Sequence, residues 1–163
     1  MLNVYLLLGS NVGDRLKNLE AAIVLLNTKA GTVTSQSALY ETEAWGNKNQ
    51  QAFLNQAILI KTNCPIYDLL HITQEIETLV GRTKTEKWGP RVIDIDILFY
   101  GDNILDEEHL KVPHPFIQDR RFTLVPLCEI AVNFEHPILK KTMKELLDTC
   151  KDVSEVKRLE SRG

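Results

Sequence analysis

The sequence predicts an α+β fold: a ferredoxin-like β-α-β-β-α-β core, an antiparallel sheet with helices packed on it, and a C-terminal extension. Three observations predict it. Short apolar runs stop at turn residues, which marks buried strands. Two longer stretches carry apolar side chains at helical spacing, and each stops at a glycine. The order of these segments is strand, helix, strand, strand, helix, strand, which is the split β-α-β arrangement.

Residues 2–8 are apolar and end at Gly9-Ser10-Asn11, as a buried strand does. In residues 14–29, Leu16, Leu19, Ile23 and Leu26 recur at helical spacing, and Gly31 stops the helix. Residues 32–42, rich in Thr, Ser and Val, suit one strand, and residues 53–61 suit the next. A polar loop over 43–51 joins them. Pro65 opens the second helix, where its missing N–H removes no intrahelical bond. Ile66, Leu69, Leu70, Thr73, Ile76 and Val80 form its buried stripe, and Gly81 ends it.

A basic loop over 82–91 leads into a strand over 92–100. There Ile93, Ile95, Ile97 and Phe99 face one way, and Asp94, Asp96, Leu98 and Tyr100 the other. Gly101-Asp102-Asn103 is a turn. Later, Thr142-Met143-Lys144-Glu145 is a capping box for a short helix whose apolar side is Met143, Leu146, Leu147 and Cys150. The pattern assigns no place to the charged tail beyond Lys151.

Size and charge bound the function. A chain of 163 residues suits one domain with one core, so residues 1–163 read as a single domain. The net charge of −3 gives no support for a nucleic-acid or membrane surface. Cys64, Cys128 and Cys150 are far apart and form no CxxC pair, which argues against a zinc site or a disulfide framework. Reduced thiols in a cytoplasm fit best, and the three read as small buried hydrophobes. The apolar run over 4–8 is too short for a signal segment or for a membrane span of about 20 residues.

The chemistry centres on Asp94 and Asp96. Two apart on a strand, they point to the same face. Like charges that close repel, and a hard divalent cation resolves the repulsion. On spacing alone, a solvated strand face explains them as well. The preceding loop adds Arg82, Lys84, Lys87 and Arg91 within ten residues, opposed by Glu86. Cations beside metal-binding carboxylates are the layout of polyphosphate transfer. His114, in Val-Pro-His-Pro, and Arg120 and Arg121, in Asp-Arg-Arg-Phe, form a second group able to donate to phosphate, of which Arg121 also reads as a surface arginine. No Walker-type or GxGxxG loop is present, and Gly9-Ser10-Asn11-Val12-Gly13 reads as a tight strand-to-helix turn. Phe53 and Asn55, two apart on a strand, and Phe122 could together hold a planar heterocycle. An RNA-binding sheet would need a basic face, which net −3 and the two acids argue against. A ligand-binding regulatory sheet would have no need of acids beside a cationic loop.

Trp88-Gly89-Pro90-Arg91-Val92-Ile93-Asp94-Ile95-Asp96-Ile97-Leu98 resembles the signature of the hydroxymethyldihydropterin pyrophosphokinase family. The likeness extends to Gly9-Ser10-Asn11, residues 40–46, Phe53-Leu54-Asn55, residues 74–82 and Val112-Pro113-His114. The resemblance implies transfer of pyrophosphate from ATP to 6-hydroxymethyl-7,8-dihydropterin, an early step of folate synthesis, by a cytoplasmic monomer. It implies that Asp94 and Asp96 bind two Mg2+ ions bridging the ATP phosphates, with Asp94 also at the pterin. Arg82, Arg91 and Asp96 would be catalytic. Gln74, Arg82, Lys84, Trp88, Arg91, Ile97, His114 and Arg120 would contact ATP. Gln74 and Glu77, three apart, would share a helix side facing the sheet. Phe53 and Phe122 would sandwich the pterin, Asn55 would bind its edge, and Thr42, Glu43 and Trp45 would line its pocket.

Overall fold

The structure, a computed structural model, describes residues 1–43, 51–81 and 91–160. In chain order its elements are β1 (Leu2–Ser10), α1 (Arg15–Lys29), β2 (Thr32–Gln36), β3 (Tyr40–Thr42), β4 (Phe53–Thr62), α2 (Ile66–Val80) and β5 (Asp94–Tyr100). A hairpin, β6 (Leu105–Glu107) and β7 (Leu110–Val112), follows; then come α3 (Arg121–Ala131), α4 (Met143–Asp148) and β8 (Lys157–Arg158). The main sheet runs β5-β1-β4-β3-β8, with β2 also on β4, and every pairing in it is antiparallel. This is the α+β architecture the segment order implies. No helix among the described residues is long and apolar enough to cross a membrane.

Period-2 alternation sends the strand side chains to two separate cores. Val4, Leu6 and Leu8 of β1 join Leu19 and Leu26 of α1 and Leu69 and Ile76 of α2. Tyr5 and Leu7 join Leu124 and Leu127 of α3 and Met143 and Leu146 of α4. Both faces of the sheet are therefore covered, and the expectation of helices on one face covers only α1 and α2. Of this second layer the sequence marks α4 but not α3, because Pro126 sits inside α3 and reads as a breaker.

Four local features differ from the sequence pattern. The single strand over 32–42 is two strands, because Ser37 leaves the ladder. Its N–H donates to the Ala57 carbonyl at 2.9 Å, and its hydroxyl accepts from the Ala57 N–H at 3.0 Å. The strand over 92–100 begins at Asp94 and carries a bulge at Leu98, where Tyr5 pairs Phe99 but Leu6 pairs Ile97. Phe99 consequently packs in the α3 core rather than beside Ile95 and Ile97. Leu16 is exposed, and Ala22 fills the α1 stripe instead. The three cysteines are only half-buried.

Gly31 and Gly81 both end helices as the pattern implies, for different reasons. Gly81 adopts φ 119°, the left-handed cap conformation, and its N–H donates to the carbonyls of Glu77 and Thr78. At Gly31, a Cβ would come within 2.4 Å of the Lys61 carbonyl, so close packing against β4 demands glycine there.

Candidate active site

The register brings five of the predicted site residues to one end of the α3-side face. Gly9 of β1 lies between Asn55 of β4 and Asp94 of β5, and Leu7 pairs Asp96. Asn55 pairs Tyr40, and Phe53 pairs Thr42. Because alternate residues share a face, Thr42, Phe53, Asn55, Asp94 and Asp96 all project from the side that α3 covers. Asn55 is buried and donates its amide to the Thr42 hydroxyl at 3.2 Å. Its carbonyl oxygen lies over Gly9, where a Cβ would approach it to 2.8 Å. Glycine at position 9 therefore makes room for the amide that reads this end of the sheet.

Asp94 and Asp96 are both half-buried, and the isoleucines between and after them, Ile95 and Ile97, are buried on the opposite face. Arg91 Nε stands 3.7 Å from Asp94 Oδ1, with the Arg91 side chain only 11% exposed. The Ile97 side chain is in the α1–α2 core, so only its backbone, on the outer strand of the sheet, is left for a nucleotide. No cluster of three or more His, Cys, Asp and Glu able to hold a metal occurs among the described residues.

Arg120, Phe122 and His114 come from the connection into α3. The Arg120 guanidinium carbon lies 4.9 Å from the Phe116 ring centroid and 5.6 Å from that of Phe122. His114 stacks edge-on to Phe116 at 5.9 Å. Burial and then the Arg120 charge hold the His114 pKa down to about 4. Its Nδ1 accepts from the Phe116 N–H at 3.2 Å, so the neutral ring carries its proton on Nε2. At neutral pH His114 is thus an uncharged donor beside a permanent cation.

Gln74 and Glu77 do not share an environment. Three residues turn a helix 60° short of a full circle, and Gln74 is exposed while Glu77 is buried. Glu77 Oε2 accepts from the Ile95 N–H at 2.9 Å, which satisfies a donor on the sheet's edge strand. Glu43 is exposed at the end of β3. Thr42, Glu43 and Phe122 line a cavity of about 540 Å³. Trp45, Arg82, Lys84 and Trp88 lie outside the described residues.

The sequence reading missed Asn11. Its N–H donates to the Arg91 carbonyl at 2.9 Å, and its Oδ1 accepts from the Arg91 N–H at 2.7 Å. Its Nδ2 also donates to the Gln51 carbonyl at 3.2 Å. One buried side chain thereby ties the first turn of the chain to Arg91 and to the start of β4. The Gly9-Ser10-Asn11 turn was the available signal, since asparagine in a turn bonds nearby backbone.

Half-buried acids flanked by an arginine, on one sheet face with a buried amide and an aromatic ring, suit transfer of a phosphate group to a flat acceptor. The comparisons bear on that class. The family model described as 7,8-dihydro-6-hydroxymethylpterin-pyrophosphokinase (HPPK) matches residues 5–132. The chain is 46% identical over 145 residues to the 2-amino-4-hydroxy-6-hydroxymethyldihydropteridine pyrophosphokinase of Aquifex aeolicus, covering 89% of this chain and 90% of that one. It is 46% identical over 132 residues to the protein of the same name from Bacillus subtilis, covering 80% and 79%. The crystal structure of wild-type Plasmodium falciparum HPPK-DHPS matches with TM-score 0.71 at 20% identity, which speaks to the fold alone. That match covers 90% of this chain and 44% of the longer Plasmodium protein. The chain is thus one of the phosphate-group transferases. Within them it belongs to the 7,8-dihydro-6-hydroxymethylpterin-pyrophosphokinase family.

Proposed function

We propose that residues 1–163 act as one pyrophosphokinase domain, which transfers the terminal pyrophosphoryl group of ATP to the hydroxymethyl oxygen of 6-hydroxymethyl-7,8-dihydropterin. The observation that carries this reading is the family match over residues 5–132. The convergence of Thr42, Phe53, Asn55, Asp94 and Asp96 on one sheet face supports it. The acceptor hydroxyl releases its proton to solvent as its oxygen bonds to the β-phosphorus, the bond from that phosphorus to the α–β bridging oxygen breaks, and AMP leaves.

Each residue has a role that follows from its chemistry. Phe53 and Phe122 stack on the pterin, and Asn55, anchored by Thr42, bonds its polar edge. Thr42 and Glu43 wall the pocket. Arg91, Arg120 and the uncharged His114 donate to phosphate oxygens. Gln74, exposed on α2, and the Ile97 backbone contact the nucleotide. Trp45, Arg82, Lys84 and Trp88 keep the roles that the resemblance implies.

Asp94 and Asp96 are an all-oxygen donor pair on one face, which fits magnesium; that ion takes one or two carboxylates and completes its shell with water and phosphate oxygens. Bound there, two Mg2+ ions would supply charge neutralisation at the ATP phosphates. The remaining work is positioning, since phosphoryl transfer needs alignment more than covalent help. The same reading makes the enzyme a cytoplasmic monomer. Incubating the chain with ATP, magnesium and hydroxymethyldihydropterin should yield pterin-dependent AMP, and chelating the metal should abolish it. Formation of ADP would overturn the reaction, and undiminished turnover in chelator would overturn the metal.

A further inference from the structure

The C-terminal tail lies beyond the family match, which ends at residue 132, and its composition alone gives it no place in the fold. Yet it is fastened at several points around the proposed heterocycle pocket. β8 pairs with β3, Arg158 opposite Tyr40 and Lys157 opposite Glu41, next to Thr42. The Leu159 N–H donates to the Leu39 carbonyl at 2.8 Å. Arg158 stands 3.9 Å from Glu129 of α3. Glu129 in turn accepts from the Tyr40 hydroxyl at 2.6 Å and from the Ala38 N–H at 2.8 Å.

A further attachment is at Asp152. Helix α3 begins after Arg120, a residue whose side chain makes no capping bond. The cap comes instead from the tail: Asp152 Oδ2 accepts from the Arg121 N–H at 3.0 Å. Asp152 is itself held by Ser154, whose N–H donates to the other carboxylate oxygen at 2.9 Å. A carboxylate at the first turn of a helix also meets the positive end of its dipole. Arg120 and Phe122 flank the capped residue, so this bond fixes the backbone from which the stacking ring springs. The same segment then supplies Ser154, Glu155 and Lys157 to the cavity of about 540 Å³ that Thr42 and Phe122 also line.

We propose that the C-terminal segment is the outer wall of the heterocycle pocket, and that Asp152 is a positioning residue for Phe122. The proposal rests on the pterin reading of the site. Ser154, Glu155 and Lys157 close the rim against solvent, which keeps the ring stacked, and among the described residues the cavity they line takes in none of Gln74, Arg91, His114 and Arg120. Their effect falls on the pterin and spares ATP.

The test measures binding of 6-hydroxymethylpterin and of a non-hydrolysable ATP analogue with magnesium, together with thermal unfolding and steady-state kinetics. For Asp152→Ala, pterin affinity should fall about tenfold and KM for the pterin should rise in step. kcat at saturation and the ATP-analogue affinity should stay within about twofold. Asp152→Asn, which keeps an acceptor oxygen, should recover most of the loss. Glu155→Ala with Lys157→Ala, at exposed positions that leave the fold intact, should weaken the pterin alone, by about threefold. Unchanged pterin affinity in the double variant overturns the rim. Pterin and analogue affinities falling together with the melting temperature in Asp152→Ala, or no rescue by Asp152→Asn, overturns the positioning role. A wild-type chain that binds the analogue but no pterin overturns the functional reading itself.

Discussion

The two faces of the central sheet are built from the same strands and do opposite work. Toward α1 and α2, the strands present Val4, Leu6, Leu8, Ile58, Ile60, Ile95 and Ile97, a mostly aliphatic layer that Gln56 and Tyr100 interrupt. Toward α3, the layer is apolar only at one end, with Tyr5, Leu7, Leu98 and Phe99. At the other end Thr42, Asn55, Asp94 and Asp96 take over. The Leu98 bulge marks the boundary on β5: before it the α3 side carries carboxylates, and after it an aromatic ring. One face therefore carries stability along its full length. The other divides its length between stability and the chemistry proposed for it.

The sharpest way to break that comparison is to substitute neighbours on β5 that point opposite ways. Asp96→Ala should lower pterin-dependent turnover by about 10²–10³-fold, the scale of losing a principal electrostatic stabiliser. Its unfolding midpoint should hardly change, because the side chain is half-exposed and its removal relieves repulsion with Asp94. Ile95→Ala should do the reverse, costing about 2–5 kcal/mol of stability through the cavity it leaves. The protein that stays folded should turn over at close to the wild-type rate. Denaturant unfolding and AMP assays on both variants check the pair, and comparable activity losses in the two would dissolve the distinction.

This asymmetry was half legible in the sequence. Period-2 spacing was enough to set Asp94 and Asp96 on one face and Ile95 on the other. Helical spacing placed α1 and α2, and glycine marked both their ends. Phe99 could not be assigned, because a bulge leaves no mark in a run of apolar residues. The break between β2 and β3 depends on Ser37 bonding a strand two elements away. α3 was hidden by Pro126 and by the proline-rich approach to it. Phe122 could be named beside Phe53 and Asn55 as a holder of a flat ring, but spacing could not bring it to them, and the tail did not reach the pocket at all. The contact from Asp152 to Arg121 spans 31 residues and follows from tertiary packing, not from local pattern.

The site end of the sheet should also titrate. The His114 pKa is held to about 4 in the folded chain, below the ordinary 6.5. Between those values the unfolded chain takes up a proton that the folded chain refuses. Stability is therefore full above about pH 6.5 and falls as pH drops toward 4, by up to about 3 kcal/mol from this residue. Burial also lowers the pKa of His136, so the wild-type slope contains both. Urea unfolding across pH 4–7 should show a shallower slope for His114→Gln than for wild type. Parallel slopes would mean that His114 is not buried as a neutral ring.

The smallest effect belongs to α4, which separates support from chemistry within the α3 side itself. Its Thr142 hydroxyl accepts from the Glu145 N–H at 3.2 Å, and Glu145 Oε1 accepts from the Thr142 N–H at 3.0 Å. These reciprocal bonds pull the Glu145 pKa down. Met143 and Leu146, the first and fourth residues of α4, then pack into the cluster that holds α3. Thr142→Ala should cost about 1 kcal/mol of stability. The difference from wild type should shrink in acid, as Glu145 protonates and the box weakens in the parent too. Because α4 lines no part of the cavity that Thr42 and Phe122 share, KM for the pterin should not move. A rise in that KM from Thr142→Ala would show that a change in α3 packing reaches Phe122 without Asp152, and would leave the two halves of this face less independent than their contacts indicate.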